Sequence, residues 1–403
     1  MTGKGANRTL PELRLRRGEE RRIEGGHLWV FSNEVDTART PLTAMESGAI
    51  VRVISARERF LGYAYVNPHA LICARILSRD AARFPDRDWI AQRVRSALVL
   101  RERLFAQPYY RLVFGESDGL PGLVLDRYGD VVVGQSGTAG MDAMAADVVA
   151  AVREVLPGSR FVWKNDSAAR ELEGLACSLS ADSGDVPAEV LTEENGLTFR
   201  VPLAAGQKTG WFFDQSANRR TLARYVPGLR VLDVFSYIGA WGLAAAHAGA
   251  REVLCVDASA AALAAVDRAA AENGLKARTL RGDAFGALEE LQRGGERFDV
   301  VILDPPAFIK RKKQIPKGEA AYRRLNQLGM QLLAPEGILV SCSCSYHLSG
   351  DALLAAIQKA ARNTGRFVQV LESGGQTPDH PVHPAIPETR YLKAFFCRVV
   401  QGM

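Results

Sequence analysis

The stretch RVLDVFSYIGAWGLAAAHAGA, Arg230 to Ala250, reads as a short apolar strand, a turn containing Gly239, and the opening of a helix. A glycine at such a turn lets the chain bend sharply and leaves room for a ligand beside the backbone. Downstream, apolar segments alternate with alanine-rich helical ones. EVLCVDAS, FDVVILDPPAF, GILVSCSCS and the closing YLKAFFCRVV read as strands. This alternation predicts a mostly parallel sheet covered on both faces, an α/β, Rossmann-like fold. The closing strand, which follows a proline-broken loop, is expected at the antiparallel edge.

Upstream the pattern differs. HLWVFSNEV, GAIVRVIS, RFLGYAYVN and LICARIL are short runs rich in β-branched and aromatic residues, broken by Gly, Pro and Asn. They predict a small β-barrel over residues 1–75, with residues 1 to about 10 disordered. A central α+β module over 76–185 follows, opened by a helix with apolar positions at Ile90, Val94, Leu98 and Leu104. It closes at the linker-like SADSGDVPAE. The third module, 186–403, starts with a hairpin turning at Asn195 and Gly196 and continues into the Rossmann-like domain.

Of the 403 residues, 47% are hydrophobic and 24% charged, with no run long enough to span a membrane and no signal segment, so a cytoplasmic location is expected. Six cysteines are scattered without metal-ligand spacing; they are read as reduced thiols, with no metal site. The net charge of +6 is concentrated at Arg14, Arg16, Arg17, Arg21 and Arg22 and at Lys310, Arg311, Lys312 and Lys313. Basic clusters of this kind suit a polyanion such as RNA.

Asp257 ends the strand after the glycine turn, about 20 residues on, where an acid can accept hydrogen bonds from both ribose hydroxyls. Asp283, in RGDAF, ends what reads as the third strand, placed to meet an adenine amino group, and Asp304 ends the fourth. The three-glycine dinucleotide fingerprint and the GxxxxGK phosphate loop are both missing. A nucleoside ligand without polyphosphate is therefore expected, and S-adenosylmethionine fits.

Pro305 and Pro306 cannot continue a central strand, so they hold Asp304 in an extended loop over the cleft, and Phe308 offers a face on which a base can stack. Cys342 and Cys344 lie at the carboxyl end of the next strand. Cys344 falls where the strand gives way to loop, and a partly exposed thiol in an electropositive cleft can act as a nucleophile. Carbon 5 of a pyrimidine becomes nucleophilic once a thiolate adds at carbon 6. Asp304 is then placed to bind or protonate N3 of a cytosine.

At these residues the chain resembles the bacterial 23S ribosomal RNA 5-methylcytosine methyltransferases of the RlmI type, in which a PUA domain and a central α+β domain precede a class I methyltransferase domain. The resemblance covers nearly the whole chain. It is carried by GGHLWVFSNEV, ESDGLPGLVLDRYGD, KTGWFFDQSANR, VFSYIGAWG, DPPAF, SCS, DHPV and YLKAFFCRV. It implies that Lys208, Thr209, Gly210, Phe213, Asp214, Gln215 and Arg219 help Phe235, Ser236, Gly239, Asp257, Asp283 and Asp304 hold S-adenosylmethionine. Cys344 falls on the family's nucleophile, while Cys342 stands where the family more often has a bulky apolar residue. Ala307 occupies the place of a second cysteine known in other RNA 5-methylcytosine enzymes, so the base that removes the carbon 5 proton is unassigned. The resemblance gives the first module to RNA binding, with Arg14, Arg16, Arg17, Lys310, Pro305 and Phe308 as substrate contacts and 23S ribosomal RNA as partner; a homodimer is left open. Two alternatives stand beside this reading: methylation of an exocyclic base amine, and a non-catalytic RNA-binding or ribosome-assembly factor.

Overall fold

The computed structural model describes residues 10–204, 206 and 208–402. The disordered start expected for residues 1 to about 10 falls, up to residue 9, outside the described residues. The chain divides into two compact units, the first made of 1–190, 202–211 and 379–389 and the second of 191–201, 212–378 and 390–403.

The first unit opens with a five-stranded sheet in the spatial order Glu12–Arg14, Ile50–Ile54, Phe60–Val66, Ile72–Ser78 and Trp29–Phe31. Leu13, Val30, Val53 and Ile76 fill its interior. The strand Ile72–Ser78 runs through residue 75, where the sequence places a domain boundary. Beyond Ile76, Leu77 packs with Tyr65 into a second core, which they share with Ile90, Val94 and Leu98. Those three lie on the helix Arg87–Leu104, whose first turn is capped by Asp86 accepting from the Trp89 amide. Leu104, expected on the same face, is 46% exposed because the last turn overshoots the core. A second five-stranded sheet completes the unit, and its edge strand Ser178–Ala181 lies partly within the expected linker. That strand is only four residues long, Ser-Leu-Ser-Ala, and almost wholly exposed, so the alternation is too short and too weakly apolar to stand out.

Glu189–Glu194 and Leu197–Pro202 form the expected hairpin, whose residues 191–201 open the second unit. Asn195 and Gly196 both have left-handed φ, 51° and 84°, as a tight two-residue turn requires. The sheet that follows contains β1 (Arg230–Val234), β2 (Glu252–Asp257), β3 (Arg278–Arg281), β4 (Phe298–Leu303), β5 (Leu333–Ser343), β6 (Arg366–Gly374) and β7 (Lys393–Gln401). The helices between them are α1 (Ala240–His247), α2 (Ala260–Glu272), α3 (Ala284–Arg293), α4 (Ile315–Leu332) and α5 (Gly350–Asn363). The spatial order is 3-2-1-4-5-7-6. Strands 1 to 5 are parallel, and β7 pairs antiparallel with both β5 and β6. This is the Rossmann-like arrangement, with one correction to the sequence reading. The closing strand is not the edge; β7 lies between β5 and β6, its Phe396, Cys397 and Val399 buried, and β6 takes the edge with Phe367 and Val370 about half exposed. The strand order reverses between β1 and β4, where a ligand crevice opens outside the strand ends.

Candidate active site

Three residues at the carboxyl end of β1 adopt left-handed backbone: Phe235 (φ 65°), Tyr237 (φ 50°) and Gly239 (φ 85°). For the two non-glycine residues this costs on the order of 1 kcal/mol each, and such strain collects where a chain is shaped around a ligand. Asp257 fixes the loop by accepting from the Tyr237 and Ser259 amides, both at 2.9 Å. Its half-exposed carboxylate keeps lone pairs for two further donors. The Ser236 hydroxyl is buried with no hydrogen-bond partner among the described residues. A buried orphan hydroxyl beside an accepting carboxylate suits a ligand rich in hydroxyls and amino groups.

Helix α1 leaves this loop pressed against β2. The Gly242 amide donates to Asp233 at 2.8 Å, and a Cβ on Gly242 would meet the Cys255 sulfur at 2.4 Å. Burial pushes the Asp233 carboxyl up to about 7; the Gly242 amide opposes that shift, and the charges of Asp304 and Asp257 add to it.

Asp304 follows β4. Gln215 donates to one of its oxygens at 3.0 Å and the Trp241 indole to the other at 2.9 Å. Burial pushes its carboxyl up to about 6, offset in part by the Trp241 hydrogen bond. Gln215 in turn accepts from Asn218 at 2.6 Å, and buried Asp214 accepts from the Tyr391 hydroxyl. Phe213 is buried in the same single turn.

Other expected residues are placed differently. Arg219 is buried, with its guanidinium on Glu194 and the Phe212 carbonyl, so it braces the segment before β1. Asp283 lies two residues past β3, exposed, and caps α3 by accepting from the Gly286 amide. Lys208, Thr209 and Gly210 belong to the first unit, where the Thr209 hydroxyl donates to Asp126, itself clamped by Arg111. Arg14 is buried and paired with Glu58, which removes it from the surface open to RNA. Arg16 bonds the Val35 carbonyl through Nε, and Arg22 is spent on Glu34 and the Trp29 carbonyl. Arg17, Arg21 and Lys310 are exposed.

The two cysteines have different surroundings. Cys342 is fully buried in β5, and burial together with the charge of Asp304 raises its thiol well above the ordinary range. Cys344, one residue past β5, is half-buried, with its sulfur 3.9 Å from the Pro305 carbonyl. Pro305 itself is buried, and Phe308 packs on Tyr322, Phe285 and Phe235 with ring centroids 4.8 to 6.5 Å apart. The Tyr322 hydroxyl, from α4, bonds both Ser343 and Ser345 at 2.9 Å and so fixes the residues flanking Cys344.

The sequence reading missed Trp241, Tyr322 and Lys393. The amino group of Lys393 donates to the Ser345 carbonyl at 2.6 Å and the Tyr391 carbonyl at 2.8 Å. A lysine inside an apolar closing strand was the available signal. Also missed was a cleft of about 740 Å³ in the first unit, lined by Arg79, Arg83, Arg93, Trp89 and His383 among others. Among the described residues no His, Cys, Asp and Glu cluster could hold a metal ion, and no helix is long and apolar enough to cross a membrane.

Comparison with known proteins assigns the modules. Residues 13–79 match the PUA-like domain model, and residues 170–397 match the S-adenosylmethionine-dependent methyltransferase model. The ribosomal RNA large subunit methyltransferase I of Shewanella denitrificans is 37% identical over 394 residues, covering 96% of this chain and 99% of its own length. Among solved structures, a proposed methyltransferase complexed with SAH has a TM-score of 0.81 at 21% identity, covering 96% of this chain and 100% of its own. A proposed S-adenosylmethionine-dependent methyltransferase from Streptococcus mutans has a TM-score of 0.80 at 21% identity, with the same coverage. At that identity the two structures speak to the fold alone.

Proposed function

Because the chain belongs to the ribosomal RNA large subunit methyltransferase I family of S-adenosylmethionine-dependent methyltransferases, we propose that it methylates carbon 5 of a cytosine in large-subunit ribosomal RNA, with Cys344 as the covalent nucleophile. The observation that carries this reading is the contrast between the two cysteines: Cys342 is sealed in the sheet, whereas Cys344 opens beside the Asp304 loop at the ligand end of β5. An enzyme that methylates an exocyclic amine needs no thiol there.

The residues fit the cofactor. Asp257 would hold the ribose hydroxyls, the unpartnered Ser236 hydroxyl would bond a polar group of the cofactor, and the strained Phe235–Gly239 loop would make room for the nucleoside. When bound, S-adenosylmethionine supplies a sulfonium methyl group, an electrophile that carbon 5 of an unmodified cytosine is too weak to attack. The Cys344 thiolate adds to carbon 6 and makes carbon 5 enamine-like. Asp304, whose raised carboxyl holds a proton up to about pH 6, hydrogen-bonds N3 and stabilises the adduct. Once carbon 5 carries the methyl group its proton passes to solvent, the C–H electrons restore the ring double bond, and the Cys344 thiolate leaves carbon 6. The target base must leave its stack to expose carbon 6, and the first-unit barrel supplies RNA contacts.

RNA carrying 5-fluorocytosine tests the proposal, because fluorine cannot leave as a proton and the adduct persists. Peptide mapping is expected to find the link on Cys344. Cys344→Ala is expected to lose methylation while keeping cofactor affinity, and Cys342→Ala to stay active. An active Cys344→Ala enzyme with no trapped adduct overturns the covalent reading in favour of exocyclic amine methylation.

A further inference from the structure

Resting on the assignment of Cys344 as nucleophile, we infer that Lys393 is the positioning residue that takes the Cys344 proton and holds the resulting thiolate. The placement follows from strand pairing. In the antiparallel β5–β7 register, Lys393 lies opposite Ser343, the residue before Cys344. Its amino group reaches past that position to the Ser345 carbonyl, the residue after Cys344. The lysine is therefore paired with the residue before the cysteine and bonded to the residue after it. Its second carbonyl partner is that of Tyr391.

The hydrogen-bond count suits a proton relay. A neutral amine has two N–H groups, which satisfy the two carbonyls, and one lone pair left to accept the thiol proton. After transfer, the third N–H faces a sulfur anion. The step balances: a thiol and an amine become a thiolate and an ammonium, and the proton returns to the sulfur or to solvent when Cys344 leaves the product. Burial holds the Lys393 ammonium down at about 8, and negative charge on Cys344 raises it. The lysine is thus poised to change its charge near neutral pH.

The other groups around this pair do not replace it. From α4, Tyr322 is occupied with Ser343 and Ser345, and burial raises its phenol further from neutrality. Cys342, on β5, is held protonated by burial. The Tyr391 hydroxyl, ahead of β7, is committed to Asp214. From α5, Gly350 faces the Lys393 stem, and the next residue, Asp351, is exposed at the helix start. The carboxylate of Asp304 engages Gln215 and Trp241.

The test reads the thiol without RNA. Iodoacetamide labelling of Cys344, followed by peptide mapping across pH 5 to 10, gives the midpoint of thiolate formation in the full chain. Lys393→Met is expected to move that midpoint up by about one unit or more and to slow labelling at pH 7 about tenfold. Lys393→Arg restores a cation and is expected to bring the midpoint back down while leaving methylation slow, because a guanidinium does not accept the proton. Calorimetric binding of S-adenosylmethionine checks that both variants are folded. An unchanged labelling profile in a folded Lys393→Met protein overturns the inference, as does an Arg variant that labels like Met. If the profile shifts as expected but Cys344→Ala still methylates RNA, the pair stands and the covalent cytosine reading falls. If Cys344→Ala is dead and the profile does not move, the reverse holds.

Discussion

Residues in this site are defined by what their polar atoms already bind. Asp257 has spent one lone pair per oxygen on its own loop and keeps the rest outward. Asp257→Ala is expected to weaken S-adenosylmethionine binding ten- to a hundredfold, about 1.5 to 3 kcal/mol for lost charge-assisted bonds, as calorimetry would read. Asp233 is the opposite case, a buried carboxyl whose ionised form the fold disfavours. Its folded value near 7 exceeds the unfolded one near 3.8, so it contributes stability that is complete below pH 3.8 and is lost as pH rises through 7. Asp233→Asn is therefore expected to flatten the fall in melting temperature between pH 5 and pH 8; an unaltered slope would show that Asp233 ionises freely. The positions of Asp257, Asp304 and Cys344 at or just past strand ends were legible because apolar strand runs mark where each strand stops. The sequence did not separate Asp304 from its supports, since Gln215 and Trp241 reach it from 89 and 63 residues upstream. Nor could it see that Arg14 and Arg219 are committed to Glu58 and Glu194. An arginine in a string looks the same whether it is paired or open.

Elements were readable where their period was strong. The parallel strands β1, β2, β4 and β5 announce themselves as apolar runs, and the hairpin by its Asn-Gly turn. Strand β6 was missed because it is an edge with polar residues on both faces and a bulge between Val370 and Glu372. The close seat of α1 on β2 has a direct test. With the Cys255 sulfur 2.4 Å from the position of a new Cβ, Gly242→Ala is expected to cost about 1 to 3 kcal/mol in chemical denaturation and to loosen cofactor binding, because the helix must back away from Asp233. A variant as stable as the parent would mean that the helix can slide without penalty.

Across the whole molecule, charge that is open and charge that is spent make different contributions to RNA binding. Affinity is expected to fall with salt, with a slope of about −0.7 per phosphate contact for single strands. Arg17→Ala and Arg93→Ala are expected to shallow that slope, since Arg17 is exposed and Arg93 lines the first-unit cleft over Trp89. Arg14→Ala is expected to leave the slope and lower stability instead, because Arg14 is itself buried and its charge is paired with the exposed Glu58. Equal slopes for all three in filter-binding titrations would put the RNA contacts elsewhere. The position of β7 also bears on how the protein is made. It pairs with β5 on one side and β6 on the other, yet it is synthesised after both. On the ribosome, then, the nascent sheet passes through an interval in which β5 presents bare amides and carbonyls and β6 has no partner, a state that invites pairing with other chains. During that interval Cys344 is present but Lys393 has not yet docked beside it, so under the proposed pairing the growing polypeptide carries a dormant thiol that is primed only when the sheet closes.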